Sequence, residues 1–447
     1  VRLRIFNYDL SPHQTMILGF AVVIFIGAVL LVLPISSATS QSIGWLDALF
    51  TSTSAVCVTG LVVLDTGSDF SVFGQLVIML LIQVGGLGFM TFGVIFAIML
   101  GKKISLKNRL LIRESTKSIS SISVVRLAVG IMIIAFGLEL IAATILTLRW
   151  AGEFGWQEAV YQAAFHSVSA FNNAGFSLWP DSLSQYVGDP VVNLTISALF
   201  IIGGLGFTVL VDIYEKRKWR QLTLHSKVVI LTSSILTLSG FIVIFIMESF
   251  NPQTFGHLSL AERLWASFFQ AVTPRTAGFN TIDTGAMMST SLLFTIFLMF
   301  VGASTGSTGG GIKTNTFAVL IMTLRSVVKG EEEVTVLKRR ISDNLVFQAL
   351  AVIILSFGIV LLVSLLLTIT EHTAQYDFLE ILFEATSAFG TVGLSMGVTG
   401  ELSPLGKLIV IATMFIGRLG PLTFAFALAL RPTKSKIRYP EDKILIG

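Results

Sequence analysis

Apolar residues run in two lengths along this chain, and the two lengths alternate. Long runs fall near 14–34, 72–100, 124–148, 190–213, 228–248, 290–323, 344–370 and 405–430, and short ones occupy 45–56, 156–171, 260–273 and 377–389. A helix that crosses a bilayer needs about 20 apolar residues, whereas a stretch of about 10 to 14 is re-entrant or buried. The order long, short, loop, long therefore recurs four times. It predicts an all-α membrane protein of four tandem helix–pore loop–helix repeats, with eight transmembrane helices and four re-entrant pore helices around one pseudo-fourfold pore. The repeats are expected at 1–107, 108–222, 223–341 and 342–431, followed by a tail at 432–447.

Each short run ends on a version of one motif. The fourth copy reads Thr386-Ser387-Ala388-Phe389-Gly390-Thr391-Val392-Gly393-Leu394, and the others are centred on Val58-Thr59-Gly60, Asn173-Ala174-Gly175 and Thr276-Ala277-Gly278. Lacking a Cβ, glycine adopts backbone angles that turn a carbonyl aside from the usual direction. Four such loops in a ring can present carbonyls to one axis, where they replace the hydration shell of a monovalent cation. Thr391-Val392-Gly393 has the triplet that opens a potassium-channel filter. Ordinary glycine caps at four helix ends explain the matching positions less well. The candidate filter is thus Val58, Thr59, Gly60, Asn173, Ala174, Gly175, Thr276, Ala277, Gly278, Thr391, Val392 and Gly393.

Composition fits a membrane protein: 53% hydrophobic and 13% charged residues over 447 positions, with mean hydropathy +0.84, is too apolar for a soluble single-core chain. The first apolar run is long enough to span and lacks a small-residue cleavage site, so no cleavable signal sequence is expected. One cysteine, Cys57, excludes an internal disulfide, and the five scattered histidines have no zinc-binding spacing.

Charge placement gives an orientation. Lys102, Lys103, Lys107, Arg109, Arg113, Lys117 and Arg126, then Lys216, Arg217, Lys218, Arg220 and Lys227, then Arg325, Lys329, Lys338, Arg339 and Arg340 fall in the linkers between repeats. Basic loops stay cytoplasmic, so both termini are expected inside and the filter loops, rich in Asp and Glu, outside. The short helices then aim the partial negative charge of their C-terminal ends at the membrane centre, which favours a cation there.

These residues resemble the Trk/Ktr/HKT superfamily of potassium transporters, and within it the membrane subunits of bacterial Ktr potassium-uptake systems. The resemblance covers nearly the whole chain. It rests on the four filter copies, on Ser169 to Phe176 and Thr273 to Asn280 in particular, and on Gly417-Arg418-Leu419-Gly420-Pro421. It implies a homodimer in the bacterial cell membrane, each subunit with its own pore, in contact with membrane lipids and resting on a cytoplasmic ring of nucleotide-binding regulatory subunits of the KtrA/KtrC type. Glycine at all four filter positions implies potassium as the favoured ion, with sodium dependence left open. No covalent cofactor, no enzymatic activity and no nucleic-acid partner is expected.

One stretch departs from helix chemistry. Gly302, Ala303, Ser304, Thr305, Gly306, Ser307, Thr308, Gly309, Gly310 and Gly311, followed by Lys313, cannot form a stable helix in lipid. Irregular backbone survives at that depth only inside protein or beside water, so the segment is expected to line the pore below the filter. A phosphate-binding loop is excluded because Ile312 separates Gly311 from Lys313. The resemblance implies an intramembrane gate here.

Arg418 lies roughly 20 Å below the outer surface at about 1.5 Å per residue, where a charge faces a pore or is paired. It reads either as an electrostatic barrier to cation exit or as a structural partner of backbone carbonyls. Gly85-Gly86-Leu87-Gly88 and Gly203-Gly204-Leu205-Gly206 are expected to permit close helix packing, in preference to forming hinges. The alternative to a gated conduit is a cation symporter of the same fold with tightly coupled sodium and potassium movement. A membrane enzyme lacks its catalytic groups.

Overall fold

The computed structural model describes residues 3–5, 8–10, 12–88, 124–372 and 376–428. The basic linker from Lys102 to Lys117, the boundary after residue 107 and the tail at 432–447 lie outside the described residues. The remainder is almost entirely helical, apart from two small hairpins pairing Leu3–Ile5 with Tyr8–Leu10 and Thr335–Val336 with Arg339–Arg340. Outer helix, pore helix and inner helix follow one another four times.

The outer helices are Pro12–Val32, Val124–Phe154, Leu224–Glu248 and Asp343–Thr370. All four are long and apolar enough to cross a bilayer. Their outward faces leave Phe25, Ile133, Leu238 and Phe357 exposed, where lipid takes the place of water.

The pore helices are Trp45–Val56, Trp156–Phe171, Leu260–Val272 and Phe378–Gly390. Asp47, Glu158, Glu262 and Glu380 each stand third in their helix, where a carboxylate meets the positive end of the helix dipole. Two starts are tied further: Ser259 with Glu262, and Asp377 with Glu380, form capping boxes that satisfy otherwise unpaired backbone N–H groups.

The inner helices begin conventionally. Ser71, Asp189 and Ser403 cap Val72–Leu87, Pro190–Leu205 and Pro404–Leu419 with their side chains. They do not continue as the apolar runs lead one to expect. The run at 190–213 is broken at Gly206 (φ +94°), and Pro190–Leu205 meets Phe207–Lys216 at 95°. The run at 405–430 breaks at Gly420 (φ +85°), after which Pro421–Leu428 restarts from a proline that has no N–H to give the preceding turn. Val72–Leu87 ends likewise at Gly88 (φ +82°). In the third repeat Ser289–Phe300 and Thr314–Val328 are separated by the glycine-rich stretch, which Val301 and Ile312 close with a parallel bridge.

The glycine motifs therefore do two jobs at separate positions. A Cβ on Gly85, Gly203 or Gly417 would lie 1.9, 2.1 or 2.0 Å from the carbonyl oxygen of Val56, Phe171 or Phe389, so these three let an inner helix touch a pore helix end. Three residues later, Gly88 ends its helix and Gly206 and Gly420 make a break. The first glycines make the close helix contact that the sequence led one to expect, and the chain turns or ends its helix at the last.

Candidate ion pathway

Immediately after each pore helix the chain enters the left-handed region twice. Val58, Asn173, Thr276 and Thr391 have φ of 50°, 58°, 70° and 48°, and two residues on Gly60, Gly175, Gly278 and Gly393 have 88°, 70°, 80° and 96°. A non-glycine residue at positive φ is uncommon, and four at matching positions define a single built conformation.

The four loops close into a ring. A Cβ on Gly60 would sit 2.4 Å from the Ala174 carbonyl oxygen, on Gly175 2.9 Å from that of Ala277, on Gly278 2.4 Å from that of Val392, and on Gly393 2.2 Å from that of Thr59. Each glycine thus abuts the next repeat, and the fourth returns to the first. Only a residue without a side chain fits any of these places.

One hydroxyl braces each loop from six residues before its glycine, or five in the third repeat. Ser54 accepts from Thr59 N through its carbonyl (2.8 Å) and from Gly60 N through Oγ (3.1 Å). Ser387 repeats this with Val392 N (2.9 Å) and Gly393 N (3.2 Å). Ser169 and Thr273 instead donate their hydroxyls to the Phe176 and Phe279 carbonyls at 2.7 and 2.5 Å. These four residues were missed as functional candidates. Their signal was a hydroxyl at a matching place in every copy of the motif.

Above the ring lies a cavity of about 270 Å³ lined by all four filter glycines together with Asp65, Asn280 and Thr399. Below it a second cavity of about 280 Å³ is lined by Gly86, Gly88, Gly306, Gly309 and Arg418. The glycine-rich stretch lies between the ring and this lower space. Thr308 Oγ1 donates to Asn173 Oδ1 at 2.9 Å, and Cβ atoms on Gly309 and Gly310 would fall 2.0 and 2.2 Å from the hydroxyls of Thr276 and Thr391. Gly311 packs on Gly390. Three of the four filter loops therefore rest on this segment.

The segment also answers the polar groups that the helix breaks expose. Ser304 N and Thr308 N donate to the carbonyls of Gly204 and Gly203 at 3.0 and 3.3 Å, and Phe207 N donates to the Gly306 carbonyl at 2.9 Å. Thr305 bonds Asn315 (2.7 Å), Ser307 bonds the Ser304 carbonyl (2.7 Å), Gly302 lies against Gly310, and Ala303 is buried. Lys313 Nζ donates to Gly309 and Gly310 at 2.8 and 3.2 Å. Half-buried Arg418 donates to the carbonyls of Thr308 and Gly85, and to that of Gly86 at 3.3 Å. In hydrocarbon an unpaired carbonyl costs several kcal/mol, so these contacts hold the stretch and Arg418 in register.

Some of the acidic residues around the filter loops are engaged within the protein. Glu384 is fully buried, accepting from Thr399 and Ser395 at 2.5 and 2.7 Å, and so ties the fourth pore helix to the loop beyond its filter. Glu371 is bound by Ser403 Oγ at 2.6 Å. Tyr186 and Tyr376, in loops that follow the second filter loop and precede the fourth short helix, donate to Glu153 and Glu401 at 2.8 and 2.7 Å, and burial together with those carboxylates raises both phenols above their usual range. A further buried cluster joins three helices beside the second filter. Gln83 Nε2 donates to Glu139 at 3.0 and 3.1 Å, and Asn172 Nδ2 donates to Gln83 and Glu139 at 2.7 and 3.2 Å.

Inner helices that are broken in the second, third and fourth repeats, with four short helices around a ring of loops, define a polytopic all-helical membrane protein. Residues 10–439 match the TrkH family of cation transport proteins. The chain belongs to that family and is a transporter, not an enzyme. It is 49% identical to Ktr system potassium uptake protein B of Bacillus subtilis over 98% of this chain and 97% of that protein. It is 43% identical to the protein of the same name from Vibrio alginolyticus, over 97% and 94%. Its fold is that of the crystal structure of the potassium transporter TrkH from Vibrio parahaemolyticus, with a TM-score of 0.73 at 20% identity, covering 95% of this chain and 87% of that one.

Proposed function

We propose that this chain is the ion-conducting subunit of a potassium-uptake system. Potassium passes the backbone carbonyls of Val58–Gly60, Asn173–Gly175, Thr276–Gly278 and Thr391–Gly393, while the stretch from Gly302 to Gly311, with Lys313 and Arg418, gates the exit. The observation that carries this reading is the closed ring of four glycines, each against the next repeat's carbonyl. Carbonyls at such a ring substitute for water around a dehydrated cation. The potassium assignment is supported by the names of the relatives, two of which are potassium uptake proteins of Ktr systems.

The four repeats divide at 107, 222 and 341. Both termini lie in the cytoplasm, two copies assemble in the plasma membrane, and a cytoplasmic nucleotide-binding ring acts on the gate. Reconstitution tests the core of this proposal. Liposomes holding the chain alone, loaded with potassium, are expected to take up labelled rubidium, with external potassium competing far better than sodium. Equal competition by the two ions removes the filter assignment, and a strict requirement for sodium at every potassium concentration favours the coupled symporter.

A further inference from the structure

The residue ahead of the first filter position is Asn172 in the second repeat and Arg275 in the third. At Asn172 the space between neighbouring helices is filled by Gln83 and Glu139. Gln83 stands two residues before Gly85, and Ile201 stands two before Gly203, the glycine with the same contact. Ser233 meets Arg275 as Glu139 meets Asn172, with Arg275 Nη1 donating to its carbonyl at 3.3 Å and Nη2 to its hydroxyl at 3.0 Å. At this interface, then, an apolar residue and a small one replace the amide and the acid.

Two consequences are visible. An apolar crevice of about 480 Å³ opens between Pro190–Leu205 and Leu224–Glu248, lined by Phe200, Leu205, Thr237, Phe241, Phe268 and Arg275. Arg275 Nε has no hydrogen-bond partner, and among the described residues no carboxylate pairs with this guanidinium. Ser233 lies nine residues after Leu224, roughly 14 Å along the helix at about 1.5 Å per residue. An ionised side chain at that depth is normally paired. None of the described residues supplies a countercharge, and the crevice edge at Ser234 and Leu238 is exposed on the lipid-facing side.

We propose that this crevice binds a long-chain carboxylate from the membrane, a fatty-acid anion, with its head on the Arg275 guanidinium and its chain along Thr237 and Phe241. The guanidinium fork matches a carboxylate in shape and charge. The volume is in the range of single small-ligand sites, which suits one alkyl chain. A phospholipid phosphate stays at the bilayer surface, too far from Arg275. Because Arg275 directly precedes Thr276, occupancy bears on the third filter loop.

The test uses the full chain in nanodiscs of zwitterionic lipid, with radiolabelled palmitate as probe and methyl palmitate as its uncharged counterpart. Arg275→Gln is expected to weaken palmitate binding at least about tenfold through loss of the charge-assisted hydrogen bonds. Thr237→Trp, which adds bulk to the crevice wall and keeps the guanidinium, is expected to do the same, and methyl palmitate to bind wild type as weakly as palmitate binds Arg275→Gln. Equal binding of acid and ester, or palmitate binding unchanged in Thr237→Trp, overturns the proposal. Those two measurements decide the matter even where Arg275→Gln does not fold.

Discussion

The ring of loops and the layer of inner helices beneath it treat fourfold symmetry differently. In the ring, all four repeats adopt one conformation, down to a non-glycine residue at positive φ two places before each glycine. In the layer below, the second and fourth repeats break at one glycine, the first inner helix ends at Gly88, and the third repeat opens into the stretch from Gly302 to Gly311, which sits under three filter loops. On the function proposed here, coordination of a bare cation requires donors from every side, so no quarter of the ring can drift. Obstruction requires only one repeat to reach the axis. That difference accounts for near-identity above and specialisation below.

Breaking the upper layer has the largest expected effect. In Gly60→Ser the new Cβ meets the Ala174 carbonyl at 2.4 Å at a φ of 88°, so a filter loop must move. Left-handed strain adds roughly 1–2 kcal/mol. Potassium-over-sodium preference in competition uptake is expected to fall at least about tenfold, equivalent to about 1.4 kcal/mol. An unchanged preference removes Gly60 from the filter.

Arg418 sharpens the comparison from below. A fixed charge a few ångströms from the path repels potassium by about 3–4 kcal/mol at an effective dielectric near 20. Arg418→Gln removes that charge and loosens the Thr308 and Gly85 contacts, leaving carbonyls unpaired at about 1–3 kcal/mol. Maximal flux is expected to rise, ion preference to hold, and melting temperature to drop. Flux falling in parallel with stability marks Arg418 as a brace alone.

The smallest effect is expected at the hydroxyls behind the ring. Ser387→Ala deprives Gly393 N of its 3.2 Å acceptor, a loss of about 1 kcal/mol. A fewfold loss of ion preference with little change in total flux is the expected reading. No change in preference shows that the brace at Ser387 does not set the loop.

Much of this was legible in the sequence because its causes are local. A short apolar run cannot span, and a glycine at a matching place four times has a backbone reason. The hydroxyl-rich stretch likewise could not be helix in lipid. The inner-helix breaks were harder to read, since the residues after Gly206 and Gly420 stay apolar and the run continues through a turn of the chain. Gln83, Glu139 and Asn172 were not found at all. They meet across separations of 56 and 89 residues, with nothing in their spacing to join them. Glu384 was hard to read for a related reason: an acid in a segment rich in Asp and Glu gives no sign of burial until its two hydroxyl partners are in view.

The central claim is that one repeat obstructs a path which four repeats make selective. It is tested most directly by removing Thr305 to Gly309 and measuring labelled rubidium uptake into liposomes that contain no other protein. The account predicts a several-fold rise in basal uptake, with potassium still competing better than sodium. Folded protein with uptake no higher than wild type would contradict it.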